Sequence, residues 1–122
     1  MADDLTERII GTAIEVHREL GPELLESVYR EALLVELTLR GIRAVQEVPC
    51  VVIYKGYEIK GLKIDLLVED EVILELKSQS KPTNEGVTAQ LISYLKATKK
   101  RRGLIFNFGL SRLVDGIQRV SV

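Results

Sequence analysis

The 122-residue sequence contains a single cysteine, Cys50, a single histidine, His17, and only three prolines. One thiol excludes an internal disulfide and any cluster of four thiolates, and it fits a reducing, cytoplasmic setting. No apolar stretch is long enough for a signal peptide or a membrane span, and the opening MADDLTER is acidic. Neither export nor membrane anchoring is therefore expected. An excess of positive charge is missing as well: 17 Lys and Arg stand against 18 Asp and Glu, a formal net charge of −1. This argues against a protein that coats nucleic acid by bulk electrostatics. It leaves room for a local site that meets a few phosphates with the help of a metal ion.

What is present is the composition of an ordinary globular protein, 46% hydrophobic and 29% charged. A chain of this length buries roughly two-thirds of its unfolded surface, so one domain, residues 1–122, is expected without a disulfide or metal staple.

Leu5, Ile9, Ala13, Val16 and Leu20 recur at helical spacing, with Asp4 or Thr6 as a candidate N-cap. Gly21-Pro22 breaks this helix and opens a second, which runs to about Arg40 before Gly41. From Ile42 the texture turns β-branched, in runs 42–49, 50–56, 57–70 and 71–79. Pro49 marks an edge or a break, and Lys55-Gly56 a turn. A loop over 80–86, with Thr83 or Asn84 as cap, precedes a helix over 87–98. A short buried strand follows over 103–109, and 116–122 is a candidate last strand. Strands in a run favour an antiparallel portion, and the crossover helix returns 103–108 parallel to one of them. The fold class is α/β, a mixed sheet flanked by helices.

The chemistry concentrates in 64-IDLLVEDEVILELK-77. If Glu69, Asp70 and Glu71 form a three-residue loop, Asp65 lies across from Glu75, and Asp65, Glu75 and Lys77 project from one face. Ile64, Leu66, Val68, Val72, Leu74 and Leu76 then occupy one face and Leu67 and Ile73 the other, so the hairpin is buried on both sides. Two carboxylates about 5 Å apart repel unless a cation joins them. Mg²⁺ suits one or two carboxylates, and Lys77 could steady a water or meet charge growing on phosphorus. The spacing alone leaves a structural ion pair between Lys77 and Asp65 open.

Other residues carry two readings each. Gln90 and Tyr94 share a face at i,i+4 and could address one ligand or pack as a polar pair. Glu26 and Tyr29 also share a helical face, although Glu26 could pair with Arg30. The run 96-KATKKRR-102, with Lys99, Lys100, Arg101 and Arg102, reads as dipole complementation or as a phosphate-contacting edge beside the site. His17 is expected on a solvated helix face. Tyr54 and Tyr57 flank a turn and could stack on a base. Asn107 needs a partner if buried, and Cys50 reads as a core residue.

The D-x(9)-E-L-K hairpin followed by Q-x(3)-Y on the next helix resembles the PD-(D/E)XK nuclease superfamily, in the branch that shares the QxxxY motif. Over nearly all of residues 5–122, notably 20-LGPELLESVY-29, 73-ILELK-77, 90-QLISYLK-96 and 104-LIFNFG-109, the chain resembles the small bacterial proteins called GxxExxY proteins. The resemblance implies an αβββαβ core and a Mg²⁺- or Mn²⁺-dependent nuclease acting on nucleic acid, DNA ahead of RNA. It makes Asp65 and Glu75 metal ligands, with the carbonyl of Leu76, and Lys77 the catalytic lysine. Glu26 becomes an additional acid near the metal, and Gln90 and Tyr94 the helix motif beside the site. The glycine that opens the naming motif is Glu23 here, which adds negative charge if it points toward the site. The alternative is a nuclease-fold module that binds or assembles without cutting. A homodimer would let two sites engage a two-stranded substrate.

Overall fold

The computed structural model describes residues 4–122. In chain order it forms α1 (Asp4–Leu20), α2 (Glu26–Leu39), β1 (Ala44–Tyr54), β2 (Tyr57–Val68), β3 (Val72–Lys77), α3 (Glu85–Thr98), β4 (Arg102–Asn107), a 3-10 turn (Leu113–Gly116) and β5 (Ile117–Ser121). The strands lie side by side in sequence order. β1–β2, β2–β3 and β4–β5 are antiparallel, while β3 and β4, joined through α3, are parallel. This is the expected α/β class, with the expected crossover.

The alternating side chains of the central strands serve two different cores. Leu66, Val68, Val72, Leu74 and Leu76 meet Ile9, Ala13 and Val16 of α1 and Tyr29, Leu33 and Leu37 of α2. On the opposite face Ile73 and Ile105 meet Leu91, Tyr94 and Leu95 of α3, together with Cys50. β3 is buried on both faces from Val72 to Leu76, as a strand at the centre of a covered sheet must be.

Several boundaries differ from expectation for local reasons. α1 already contains Asp4 and Thr6, and its N-cap lies outside the described residues. α2 starts at Glu26, not at Pro22, because Gly21 (φ +75°) and Glu23 (φ +70°) hold the chain in left-handed conformations that no helix accepts. Tyr29 closes this link: its hydroxyl donates to the Gly21 carbonyl (2.5 Å) and accepts from the Leu24 amide (3.1 Å). Its ring stacks on Phe108 at 4.3 Å. Pro49 does not end a strand. It sits within β1, paired with Lys63, on an edge strand of the sheet, where proline is tolerated. Asn84 caps α3 by accepting from Gly86 and Val87.

His17 is a correction. It is buried, not solvated: its Nε2 lies 3.0 Å from the Leu110 carbonyl and its ring lies beside Phe108. Position 17 is one helical turn from Ala13, so it continues α1's apolar stripe toward the loop after β4. The hairpin face pattern needs a second correction. Ile64 packs under α3 with Cys50 and Ile73, whereas Leu66, two residues on, packs under α1 and α2. The pleat is interrupted at Glu47, across from Asp65 in the β1–β2 register, where φ is +52°.

Candidate active site

The loop Glu69–Glu71 has the anticipated length, with Val68 opposite Val72 and Leu66 opposite Leu74. One step further along this register, Asp65 faces Glu75. There the backbone ladder gives way to a side chain, and the Leu76 amide donates to Asp65 Oδ2 at 2.8 Å. Asp65 is thus anchored to the strand that carries Glu75 and Lys77.

Glu75 is 5% exposed. Its Oε2 lies 3.8 Å from Lys77 Nζ. Its Oε1 is buried and has no hydrogen-bond partner. Burial and then the neighbouring Asp65 charge push the Glu75 carboxyl up to about 7, with Glu26 adding to the rise and Lys77 opposing it. Asp65 moves in the same direction, mainly through burial, against the Leu76 amide and the charges of Lys77 and Arg30. The Tyr94 phenol is raised by burial and then by Glu75 and Asp65, so α3 brings its hydroxyl into the field of both carboxylates. Gln90, one turn earlier on α3, is exposed.

Two residues beside this pair, Arg30 and Glu47, are not assigned to the site by the sequence, which offers Arg30 only as a partner for Glu26. Arg30 of α2 reaches Gln46 (3.2 Å) and Glu47 (3.3 Å) on β1. Its charge and that of Glu47 then act on Asp65 in opposite directions. No local spacing links positions 30, 47 and 65, and only the packing of α2 on the sheet does so. Arg30 is therefore engaged away from Glu26, and the suggested i,i+4 pair does not form.

Glu26 opens α2 at the rim of a cleft of about 620 Å³, lined also by Glu23, Leu24, Leu25, Ser78 and Ser80. Among the described residues no three His, Cys, Asp or Glu side chains are grouped so as to hold a metal ion. Glu26 acts on Glu75 through its charge and does not close a three-carboxylate set.

The basic run is not brought to the carboxylates. Arg102 pairs with Val72 at the start of β3, whereas Glu75 pairs with Ile105, roughly 10 Å further along at about 3.3 Å per residue. Lys100 binds Asp70 (3.1 Å) and Arg102 binds Glu71 (3.4 Å), so the β2–β3 turn takes up part of this charge. Lys99 ends α3 in a left-handed conformation, and Lys99 and Arg101 are exposed at the same far end. Because α3 runs back against the direction of β3, its C-terminal end lies away from Lys77.

Asn107 is fully used in support of the chain that leaves β3. Its Oδ1 accepts from Gln79 and Gly109, and its Nδ2 donates to Lys81. Gly109 completes the contact, since a Cβ there would overlap the Gln79 main chain. Lys77 consequently leaves a strand whose exit is fixed.

Two hard oxygen donors facing each other, one with a buried oxygen lacking any partner, fit a divalent cation such as Mg²⁺ or Mn²⁺. No helix among the described residues is long and apolar enough to cross a membrane. A family model described as the PD-(D/E)XK nuclease superfamily matches residues 3–120. No curated protein and no solved structure matches at a significant level. Nucleases of this superfamily generally use divalent metals and act on nucleic acid. A match spanning nearly the whole chain shows the family: this chain belongs to the PD-(D/E)XK nuclease superfamily.

Proposed function

We propose that the protein is a Mg²⁺- or Mn²⁺-dependent nuclease that hydrolyses phosphodiester bonds at Asp65, Glu75 and Lys77. The observation that carries this reading is the buried Glu75 carboxylate facing Asp65 with Oε1 unpartnered. An unsatisfied buried carboxylate oxygen costs stability unless it is used. Asp65 and Glu75 would hold the ion, which supplies Lewis acidity toward a phosphate oxygen and a water.

The chain's own groups do the rest. Lys77 presents an ammonium beside the pair, able to donate to a phosphate oxygen as negative charge builds there. The Leu76 amide fixes Asp65 against rotation. Tyr94 and Gln90 would orient the substrate from α3, Tyr94 with a phenol hydroxyl that lies in the field of both carboxylates. Glu26 would tune the pair from the cleft rim. The finer likeness to GxxExxY proteins gains support from Glu23: its φ of +70° is a conformation that favours glycine, so the residue differs from that family's pattern while the backbone does not. DNA ahead of RNA, a bacterial source and a cytoplasmic setting belong to this reading.

Cleavage assays on single-stranded, duplex and branched oligonucleotides test it. Activity requiring Mg²⁺ or Mn²⁺ should fall at least a hundredfold in Glu75→Ala and Lys77→Ala; a demonstrated activity that survives either change would sink the assignment.

A second reading, a nuclease-fold module that binds without cutting, is favoured by the electrostatics of the cleft rim. Glu23 and Glu26 are acidic there, and the basic run at the opposite end is partly neutralised by Asp70 and Glu71. It requires nucleic-acid binding that persists in Glu75→Ala and needs no divalent ion.

A further inference from the structure

Past Asp65 the sheet narrows to two strands. The β2–β3 ladder stops at Leu66 and Leu74, while β1 and β2 stay paired from Val48 and Ile64 out to Tyr54 and Tyr57. This ribbon runs roughly 26 Å beyond Asp65 at about 3.3 Å per residue. It leaves from the end of β3 that carries Glu75 and Lys77. Every residue from Val52 to Lys63 is exposed. A two-stranded ribbon alone is marginally stable in water, so its length is not explained by what it buries.

The charge of the ribbon differs from that of the rest of the chain. Residues 51–63 hold Lys55, Lys60 and Lys63 against Glu58 alone, in a protein of formal net charge −1. None of these lysines is in an ion pair among the described residues. The run at 96–102, by contrast, lies toward the far end of β3 and is partly neutralised. At Lys60-Gly61 the pairing slips: Cys50 faces Leu62 but Val52 faces Ile59, and Gly61 takes φ +117°. Such a bulge adds twist and re-aims neighbouring side chains.

The tip is aromatic on the side of the site. Cys50 packs under α3, so Val52 and Tyr54 follow it on that side, with Ile59 and Tyr57 across from them. Glu75, two residues after Ile73, stands on the same side of the sheet, as does Tyr94. Tyr54 is 60% exposed and Tyr57 73%. Lys55 Nζ lies 5.5 Å from the centroid of the Tyr54 ring, so a cation and an aromatic surface sit together at the tip. A second copy paired along this ribbon would set its lysines against the same lysines. A single nucleic-acid strand answers both features, with phosphates for the lysines and unpaired bases for the rings.

We propose that the β1–β2 ribbon is an arm that binds a single-stranded segment of the nucleic-acid substrate. Tyr54 and Tyr57 lie under its bases, and Lys55, Lys60 and Lys63 meet its phosphates. The proposal rests on the reading of Asp65 and Glu75 as a nucleic-acid site, from which the arm continues the bound strand.

Fluorescence anisotropy of a labelled oligothymidylate of about 20 nucleotides, in EDTA and about 0.1 M salt, reads the arm without cleavage or metal. The wild type is expected to bind this strand at least about fivefold more tightly than the duplex it forms with oligodeoxyadenylate, whose bases are closed to the rings. Lys60→Glu combined with Lys63→Glu should weaken binding at least about tenfold and flatten the salt slope by about 1.4, at about 0.7 per phosphate contact. Tyr57→Ala should weaken it about tenfold with the slope unchanged, because a base–ring stack is lost. Lys99→Glu combined with Arg101→Glu, exposed at the far end, should stay within about threefold of the wild type, beyond the screening length of the arm. All variants should keep the wild-type circular dichroism. A wild type that does not bind, ribbon variants that bind like the wild type, an equal loss in the far-end variant, or a preference for duplex overturns the inference. So does a wild-type oligomer that Tyr57→Ala dissociates while oligonucleotide binding stays unchanged, which would give the ribbon to a second copy. With no metal present, the arm and the nuclease reading fail separately. An arm that binds while metal binding at Glu75 fails leaves a module that does not cut. Metal-dependent cleavage with ribbon variants that bind normally removes the arm alone.

Discussion

Replacing Glu75 by Gln keeps the size and burial of the side chain and removes its charge. In the folded protein the Glu75 carboxyl is pushed from the ordinary 4.5 up to about 7 by burial and by Asp65. A carboxyl with a higher pKa folded than unfolded binds its proton more tightly in the native state. Its contribution favours the native state at low pH and is lost as pH rises from about 4.5 to about 7. At 1.36 kcal/mol per pH unit the ceiling is about 3 kcal/mol, and solvent reaching the cleft reduces this to about 2 kcal/mol. For a domain of this size that is roughly 8 °C in Tm. Metal-free wild type should therefore lose about that much between pH 5 and pH 8 in thermal denaturation followed by circular dichroism. Glu75→Gln should lose much less, with a residual slope at the acid end from Asp65, which shifts in the same direction. Millimolar Mg²⁺ at pH 8 should restore the wild type, because a bound ion favours the ionised pair, and leave the variant unmoved. A wild-type profile that is flat over this range, or a Gln variant that declines as steeply, refutes the placement of a buried carboxylate with an unpartnered oxygen at position 75.

Further outcomes follow from the shell around the pair. Tyr29→Phe removes both bonds that close the α1–α2 link and should cost about 1–2 kcal/mol in urea denaturation. Glu23→Gly relieves a left-handed backbone and should leave the protein equally stable or more stable by up to about 1 kcal/mol, unlike most loop-to-glycine changes. Asn107→Ala strands the Gln79 and Gly109 amides and the Lys81 carbonyl. A loss of about 2–4 kcal/mol is expected, with faster hydrogen exchange in residues 78–82. Removing Asp70 or Glu71, which hold Lys100 and Arg102, should leave metal affinity at Glu75 within twofold, since both pairs lie at the far end of β3.

Much of this architecture could be read from local pattern because local chemistry dictates it. A three-residue loop with two left-handed residues, Glu69 and Asp70, sets the β2–β3 register, and from that register Asp65 and Glu75 must face each other. The turn at Lys55-Gly56, the cap at Asn84 and the left-handed Gly41 after α2 are likewise properties of a few adjacent residues. What spacing could not supply depends on contacts distant in sequence. His17 looks polar on a helix wheel, yet the Leu110 carbonyl 93 positions later gives its ring a buried partner. Ile64 packs on the α3 side although Leu66, two residues on, packs under α1 and α2, a break in alternation that the spacing of the strand itself does not announce. The basic run 96–102 lies near the site in sequence order but not in space, because a crossover helix carries its own C-terminal end to the far edge of the parallel strands. Arg30 joins the site only through the packing of α2 on β1.

Calorimetric titration of Mg²⁺ and Mn²⁺ into wild type and Glu75→Ala, each with and without a short oligonucleotide, tests the central claim most directly. The account predicts saturable binding in the wild type, strengthened by the oligonucleotide and abolished in the variant, with the variant folded by circular dichroism. Absence of saturable binding to the wild type even with oligonucleotide present, or equal binding to the folded variant, would contradict it.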